Sequence, residues 1–176
     1  MRKLKNSELD RPTVNEFKSS QKIPIVVVLD NIRSLNNIGS IFRTCDAFRV
    51  ENLHLCGITG TPPHREIQKT ALGATESLDW KYFDNTIESV EFLKNKQYSI
   101  VAVEQLDQSI DLRKYSPAKS EMIALIFGNE IKGISDEILD YIDVGIEIPQ
   151  FGTKHSFNVS VSTGIVLWHI FNQIQK

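Results

Sequence analysis

Apolar positions along this chain fall into two recurring patterns. IPIVVVLD (23–30) is an unbroken β-branched run, the mark of a strand buried on both faces. YSIVAVE (98–104) and EMIALIFG (121–128) repeat it, and NLHLCG (52–57), SLDWKYF (77–83) and VGIEIP (144–149) are shorter versions. Between them the spacing turns helical. NNIGSIFRTCDAF (36–48) carries Ile38, Ile41, Phe42, Cys45 and Phe48 on one face. REIQKTAL follows, with Gly73 as its stop signal, and TIESVEFLKNK (86–96) follows either Asn85 or Thr86 as cap. SDEILDYI (135–142) predicts a short helix capped by Ser135, with Asp136 and Glu137 at its positive end. QLDQSIDLRKYSPAK (105–119) is polar and loop-like, with one helical turn expected in it. Strands alternating with helices predict an α/β domain: a mostly parallel sheet with helices on both faces.

The last predicted helix (158–175) breaks the amphipathic rule. Val161, Ile165, Trp168 and Phe171 form one apolar stripe, and Val159, Val166, Ile170 and Ile174 form another. The polar residues between the stripes are mostly small: Ser160, Ser162 and Thr163. A helix apolar all round is covered on both sides. At the end of a small domain the second cover is most easily another subunit, so a two-fold homodimer is predicted.

A length of 176 residues, 41% of them hydrophobic, fits one domain with a sizeable core. A net charge of −2 excludes a stand-alone basic nucleic-acid binder. The charge is uneven, however. Residues 1–22 hold Arg2, Lys3, Lys5, Arg11, Lys18 and Lys22 against Glu8, Asp10 and Glu16. This basic N-terminal arm precedes a more acidic body (23–176), and it is either a solvated tail or a contact for a phosphate backbone. The N-terminus lacks a secretory signal and no apolar run is long enough for a bilayer, so a cytoplasmic protein without membrane contact is expected. Cys45 and Cys56 lack C-x-x-C spacing and read as small, reduced core residues. His54, His64, His155 and His169 show no metal spacing, so no metal is expected; His64 and His155 sit in loops, as surface residues or phosphate contacts.

In parallel sheets ligands bind beyond the carboxyl ends of the strands. Three such ends are rich in Asn, Ser and Gly: DNIRSLNNIGSIFRT, FGNEIKGIS and QFGTKHSFNVS. In the first, Asn37 is placed as a helix N-cap, and Gly39 leaves room beside Arg43 for another backbone or a ligand. Arg43 either binds a phosphate or carboxylate there or snorkels to the surface. In the second, Gly128 and Gly133 bracket Glu130, either a ligand or structural anchor or a solvated turn residue. In the third, Asn158 suits an N-cap and Ser156 a second acceptor for free N–H groups. No G-x-G-x-x-G turn, P-loop, H-E-x-x-H or G-x-S-x-G is present, which excludes the commonest dinucleotide, NTP, zinc-protease and hydrolase signatures.

Taken in order, these segments resemble the three motifs of the SpoU (TrmH-type) RNA 2′-O-ribose methyltransferases of the SPOUT superfamily. The first resembles NNIGSIFRTCDAF with its Asn-x-Gly-x-x-x-Arg core at Asn37, Gly39 and Arg43. The second resembles LIFGNEIKGIS, centred on Gly128, Asn129, Glu130 and Gly133, and the third IPQFGTKHSFNVSVSTGIVLW with Ser156 and Asn158. KTALGATESLDW (69–80) is also similar to a family stretch.

The resemblance implies a C-terminal trefoil knot, a homodimer and S-adenosyl-L-methionine bent into the knot. It implies cofactor contacts at Gly128, Asn129, Ile148, Gln150 and Phe157. It implies a catalytic set of Asn37, Arg43, Glu130, Ser156 and Asn158, drawn from both subunits. Arg43 would orient the RNA phosphate and stabilise the developing alkoxide. Two positions depart from the family pattern: Gln150 stands where Met is common, and Phe157 where Leu is common. The implied reaction is methyl transfer to an RNA ribose 2′-hydroxyl. Only about twenty residues precede the first strand, without the N-terminal domain many ribosomal-RNA members carry, which tilts the expected substrate from rRNA toward tRNA. The competing expectation is a catalytically inactive RNA-binding module of the same fold.

Overall fold

A computed structural model describes residues 1–175, so Lys176, the last residue of the predicted 23–176 body, lies outside the described residues. The strands are β1 (Ile23–Asp30), β2 (Val50–Cys56), β3 (Trp80–Phe83), β4 (Ser99–Val103), β5 (Ile110–Asp111), β6 (Ile123–Phe127) and β7 (Val144–Glu147). They form one sheet in the order β3-β2-β1-β6-β4-β7-β5. Every pairing is parallel, so the predicted "mostly parallel" sheet is wholly so among the described residues.

Alternation along the central strands divides the core in two. Ile25, Val27, Leu29, Leu125 and Phe127 face one layer, made by α2 (Leu35–Ala47), α3 (Arg65–Ala71) and α6 (Val159–Ile174). Val26, Val28, Ala124 and Ile126 face the other, made by α5 (Thr86–Asn95) and a 3₁₀ segment, Asp136–Tyr141. Both faces are covered, which is why these strands read as continuous apolar runs. In the second layer His54 is 1% exposed, bonded through Nδ1 to Ser89 Oγ at 2.7 Å and flanked by Phe83 and Phe92. Burial first, then Lys81 and Lys96, push its pKa down to about 3, so it packs as a neutral ring.

Several elements differ from the sequence pattern. The strand predicted over 77–83 is shortened by a one-turn helix, α4 (Ala74–Ser77), because Ser77 Oγ donates to Asp46 across the α2 layer. The loop 105–119 has the helical turn expected there, as 3₁₀ at Leu112–Lys114, and in addition the edge strand β5. The helix predicted at 135–142 is 3₁₀, and Ser135 makes no side-chain cap there because its hydroxyl goes to Asp30. Within the N-terminal arm, α1 (Val14–Ser19) forms behind a capping box in which Thr13 and Glu16 exchange bonds. Its Phe17 is buried and α1 packs on α4.

Helix α6 packs on α2. Val159, Val166 and Ile170 of one predicted stripe are buried, whereas Val161 and Trp168 of the other are 49% and 58% exposed. Phe48, at the end of α2, stacks on Trp168 and Phe171 with ring centres 6.2 and 5.5 Å away. Among the described residues no helix is long and apolar enough to cross a membrane.

Candidate active site

Strands β1, β6 and β7 send their loops off the same carboxyl edge of the sheet. β1 ends in Asp30, which is fully buried. Its carboxylate accepts from Thr86 Oγ1 (2.6 Å), Ser135 N (2.7 Å), Asn31 Nδ2 (2.8 Å) and Ser135 Oγ (3.0 Å). Four donors offset the cost of burying that charge. Thr86 is thereby engaged, and Asn85 caps α5 by accepting from Glu88 N. Asn31 follows at φ 57°, a left-handed conformation that Asn tolerates. Its Oδ1 accepts from Ile58 N at 3.1 Å and its carbonyl accepts from Asn129 Nδ2 at 2.6 Å, tying the β1 loop to the β6 loop.

The β6 loop is folded back on itself. Asn129 and Gly133 exchange two backbone hydrogen bonds of 2.9 Å. A Cβ on Gly128 would stand 2.2 Å from the carbonyl carbon of Gly133, so glycine is required for this approach. The fold-back sends Glu130 across to the start of α2. Its carboxylate accepts from Arg33 N and Ser34 N at 3.0 Å each, and from Asn37 Nδ2 at 3.2 Å. An anion at the head of a helix is favourably placed. Desolvation pushes the Glu130 pKa up, but the N–H donors of Arg33, Glu130 itself and Ser34, with the Asn37 amide, outweigh it and hold it below the usual carboxylate range.

Asn37 is not the N-cap that the sequence suggests. Ser34 is, its Oγ accepting from Asn37 N at 3.3 Å. This frees the Asn37 side chain to bridge two loops, because its Oδ1 accepts from Asn158 Nδ2 at 3.1 Å. Asn158 caps α6, accepting from Ser160 N at 2.9 Å. Glu130, Asn37 and Asn158 thus form one hydrogen-bonded line across three segments.

Beside this line lies a cavity of about 580 Å³. Gly128, Asn129, Ile148, Gln150 and Phe157 line it, together with Glu130, Ser156 and Asn158. Val103, Ile146 and Ile148 give it an apolar wall, and Glu104 a carboxylate. That volume and donor set fit a nucleoside cofactor bearing a cationic centre, as S-adenosyl-L-methionine does.

Arg43 does not join the line within one chain. It is exposed on α2 and borders a separate groove with Ser40, Thr44, Phe48 and Lys69. Six positions beyond Asn37, it sits about 9 Å further along the helix and on another face. The room beside Gly39 is filled by backbone, since a Cβ there would lie 2.3 Å from the Ile67 carbonyl oxygen of α3. Sequence reasoning missed Asp30, Asn31, Ser34, Glu104 and Gln105. Two signals were available: a charge closing an apolar strand, and a serine three residues before Asn37.

An all-parallel α/β sheet whose β4, β6 and β7 loops enclose such a cavity defines a SpoU-type RNA methyltransferase scaffold rather than a dinucleotide-binding one. The profile of the SpoU rRNA Methylase family matches residues 24–168, and the chain belongs to that family of S-adenosyl-L-methionine-dependent RNA 2′-O-ribose methyltransferases. Among similar proteins, the tRNA (guanosine(18)-2′-O)-methyltransferase of Aquifex aeolicus is 32% identical over 169 residues, covering 93% of this chain and 76% of the relative. The enzyme of the same description from Thermus thermophilus is 29% identical over 170 residues, covering 97% and 86%. The crystal structure of the A. aeolicus TrmH/SpoU tRNA modifying enzyme superposes with a TM-score of 0.81 at 29% identity, covering 92% of this chain and 81% of that one. An AdoMet-bound rRNA methyltransferase from Sinorhizobium meliloti superposes with a TM-score of 0.77 at 29% identity, covering 85% and 56%.

Proposed function

We propose that this chain methylates the ribose 2′-hydroxyl of a tRNA nucleotide, guanosine 18 being the first candidate, as a cytoplasmic homodimer. The hydrogen-bonded line Glu130–Asn37–Asn158 carries this reading, because it ties the β6 and β7 loops that line one cofactor-sized cavity to the head of α2. The names of the A. aeolicus and T. thermophilus relatives support tRNA and its guanosine 18.

S-adenosyl-L-methionine supplies a methyl group already activated by its sulfonium. Gly128, Asn129, Ile148, Gln150 and Phe157 would hold it, in a backbone we read as the trefoil knot. The task left to the protein is to align a weak nucleophile, whose proton passes to solvent water at the exposed rim of the cavity as the oxygen gains the methyl group. Arg43 orients the RNA phosphate and stabilises the developing alkoxide; a guanidinium is too basic to serve readily as the proton acceptor. Ser156 and Asn158 position the ribose, and Asn37 and Glu130 hold the loops that carry them. Arg43 would come from the partner subunit. Phe48 borders the Arg43 groove and stacks on Trp168, so the exposed α6 stripe and Arg43 share one face. The cationic surplus of residues 1–22 gives that arm a role on the RNA backbone.

The test is incubation of the protein and labelled S-adenosyl-L-methionine with an unmodified tRNA transcript, read by nucleoside mass spectrometry. We expect 2′-O-methylguanosine, and none on a transcript carrying 2′-deoxyguanosine at position 18. Label on a base, or at another ribose, would overturn the assignment.

A further inference from the structure

The segment that closes the cavity is attached at one point. Residues 151–157 are all exposed, Phe151 by 89% and Phe157 by 42%. Among the described residues, only two hydrogen bonds reach this stretch. Both end on the carbonyl oxygen of His155: Gln105 Nε2 donates at 2.6 Å and Gln150 Nε2 at 3.2 Å. One glutamine follows β4 and the other follows β7, and both line the cavity. A carbonyl oxygen has two lone pairs, so the two amides can be accepted together.

We propose that Gln105 and Gln150 act as a positioning clamp: by gripping the His155 carbonyl they hold His155, Ser156 and Phe157 against the cavity these residues line, and so set the affinity for the cofactor. The assignment of a cofactor to this cavity rests on the function proposed above; the grip on the loop does not. The clamp also gives Gln150 a purpose. Its amide reaches a carbonyl five residues on. Gln105 supplies the longer-range half of the grip, across fifty positions of sequence. Neither residue need touch the reacting atoms. Ser156 is next to the clamped carbonyl, and Asn158, three residues on, is anchored separately to Asn37. Loss of the clamp therefore frees the loop but leaves the helix cap in place.

The test uses Gln105→Met, Gln150→Met and the double variant, which keep chain length and apolar stem but remove the donors. Limited tryptic digestion of the cofactor-free protein reads the loop directly, through cleavage after the exposed Lys154. We expect that cleavage to quicken about fivefold in each single variant and more in the double, as loss of a hydrogen bond predicts. Steady-state kinetics reads the consequence. The KM for S-adenosyl-L-methionine rises about tenfold in Gln105→Met, while kcat changes by less than about twofold, the split expected of a group that only positions. Unchanged cleavage in the double variant would overturn the clamp. Faster cleavage with unchanged KM in Gln105→Met would overturn its link to cofactor affinity. A wild-type protein that fails to bind the cofactor in calorimetry would sink the cavity's assignment, and the cleavage rate would still decide the clamp.

Discussion

Glu130 looks at first like a proton carrier in a cleft, yet its surroundings argue otherwise. Two backbone N–H groups and the Asn37 amide all donate to it, which suits a carboxylate that stays charged. Its pKa is held low, so its contribution to stability is complete above the unfolded value near 4.3 and disappears as pH falls through the lower folded value. We predict that Glu130→Gln costs about 1 kcal/mol at pH 7, a figure discounted for the residue's exposure. Urea unfolding at pH 7 and pH 3 checks this: the two proteins should differ most at pH 7, and the gap should narrow toward pH 3. Equal stability at pH 7 would mean the anchor is not formed. At this scale the sequence was readable where spacing is local: Asn37, Glu130 and Asn158 all stand out at strand ends. It was not readable where partners are remote. Asp30 finds Thr86 and Ser135 at separations of 56 and 105 residues, and no local pattern announces either.

At the scale of elements, the central strands were legible because burial on both faces leaves an unbroken apolar signature. Short pieces were not. β5 is two residues long, and α4 is a single turn fixed by Ser77 reaching Asp46. α1 was legible in principle, since Thr13 and Glu16 stand at capping-box spacing, but six residues in a charged, polar arm carry too little apolar periodicity to mark a helix. Gly39 lies between these cases. Its absence of a side chain was visible, yet either backbone or ligand could have used the room. The structure gives it to α3, and this makes a prediction about packing. A methyl group at 39 would fall 2.1 Å from Thr70 Oγ1 and 2.3 Å from the Ile67 carbonyl oxygen. The hydroxyl can turn away, but the carbonyl belongs to the α3 backbone. Helix propensity favours Ala over Gly by about 1 kcal/mol, whereas forced separation of packed helices costs about 1–3 kcal/mol. Gly39→Ala should therefore lower the thermal midpoint, and adding Thr70→Ala should recover only part of the loss. A midpoint raised by Gly39→Ala would show that α2 and α3 do not pack this closely.

For the whole molecule the decisive question is how Arg43 would meet the cavity in the proposed reaction. Within one chain the cavity and the Arg43 groove are separate. The proposed second subunit would resolve this. The α6 stripe of Val161 and Trp168 is apolar and exposed, and it adjoins the Arg43 groove through Phe48. Covering it with a two-fold partner would bring each Arg43 toward the other chain's cavity. This gives a prediction that no single-chain site can satisfy. Arg43→Ala and Asn158→Ala should each lower kcat by about 100-fold or more, as loss of a group stabilising developing charge or aligning the substrate does. Mixed and re-equilibrated, the two inactive proteins would form hybrid dimers in which one cavity has an intact Asn158 facing an intact Arg43. If half the dimers are hybrids with one working site each, activity should return to about a quarter of the wild type. Trp168→Glu in both chains should abolish that recovery by breaking the interface, and sedimentation should then show a monomer. A site confined to one chain predicts no recovery at any mixing ratio, because every chain in the mixture lacks one of the two residues.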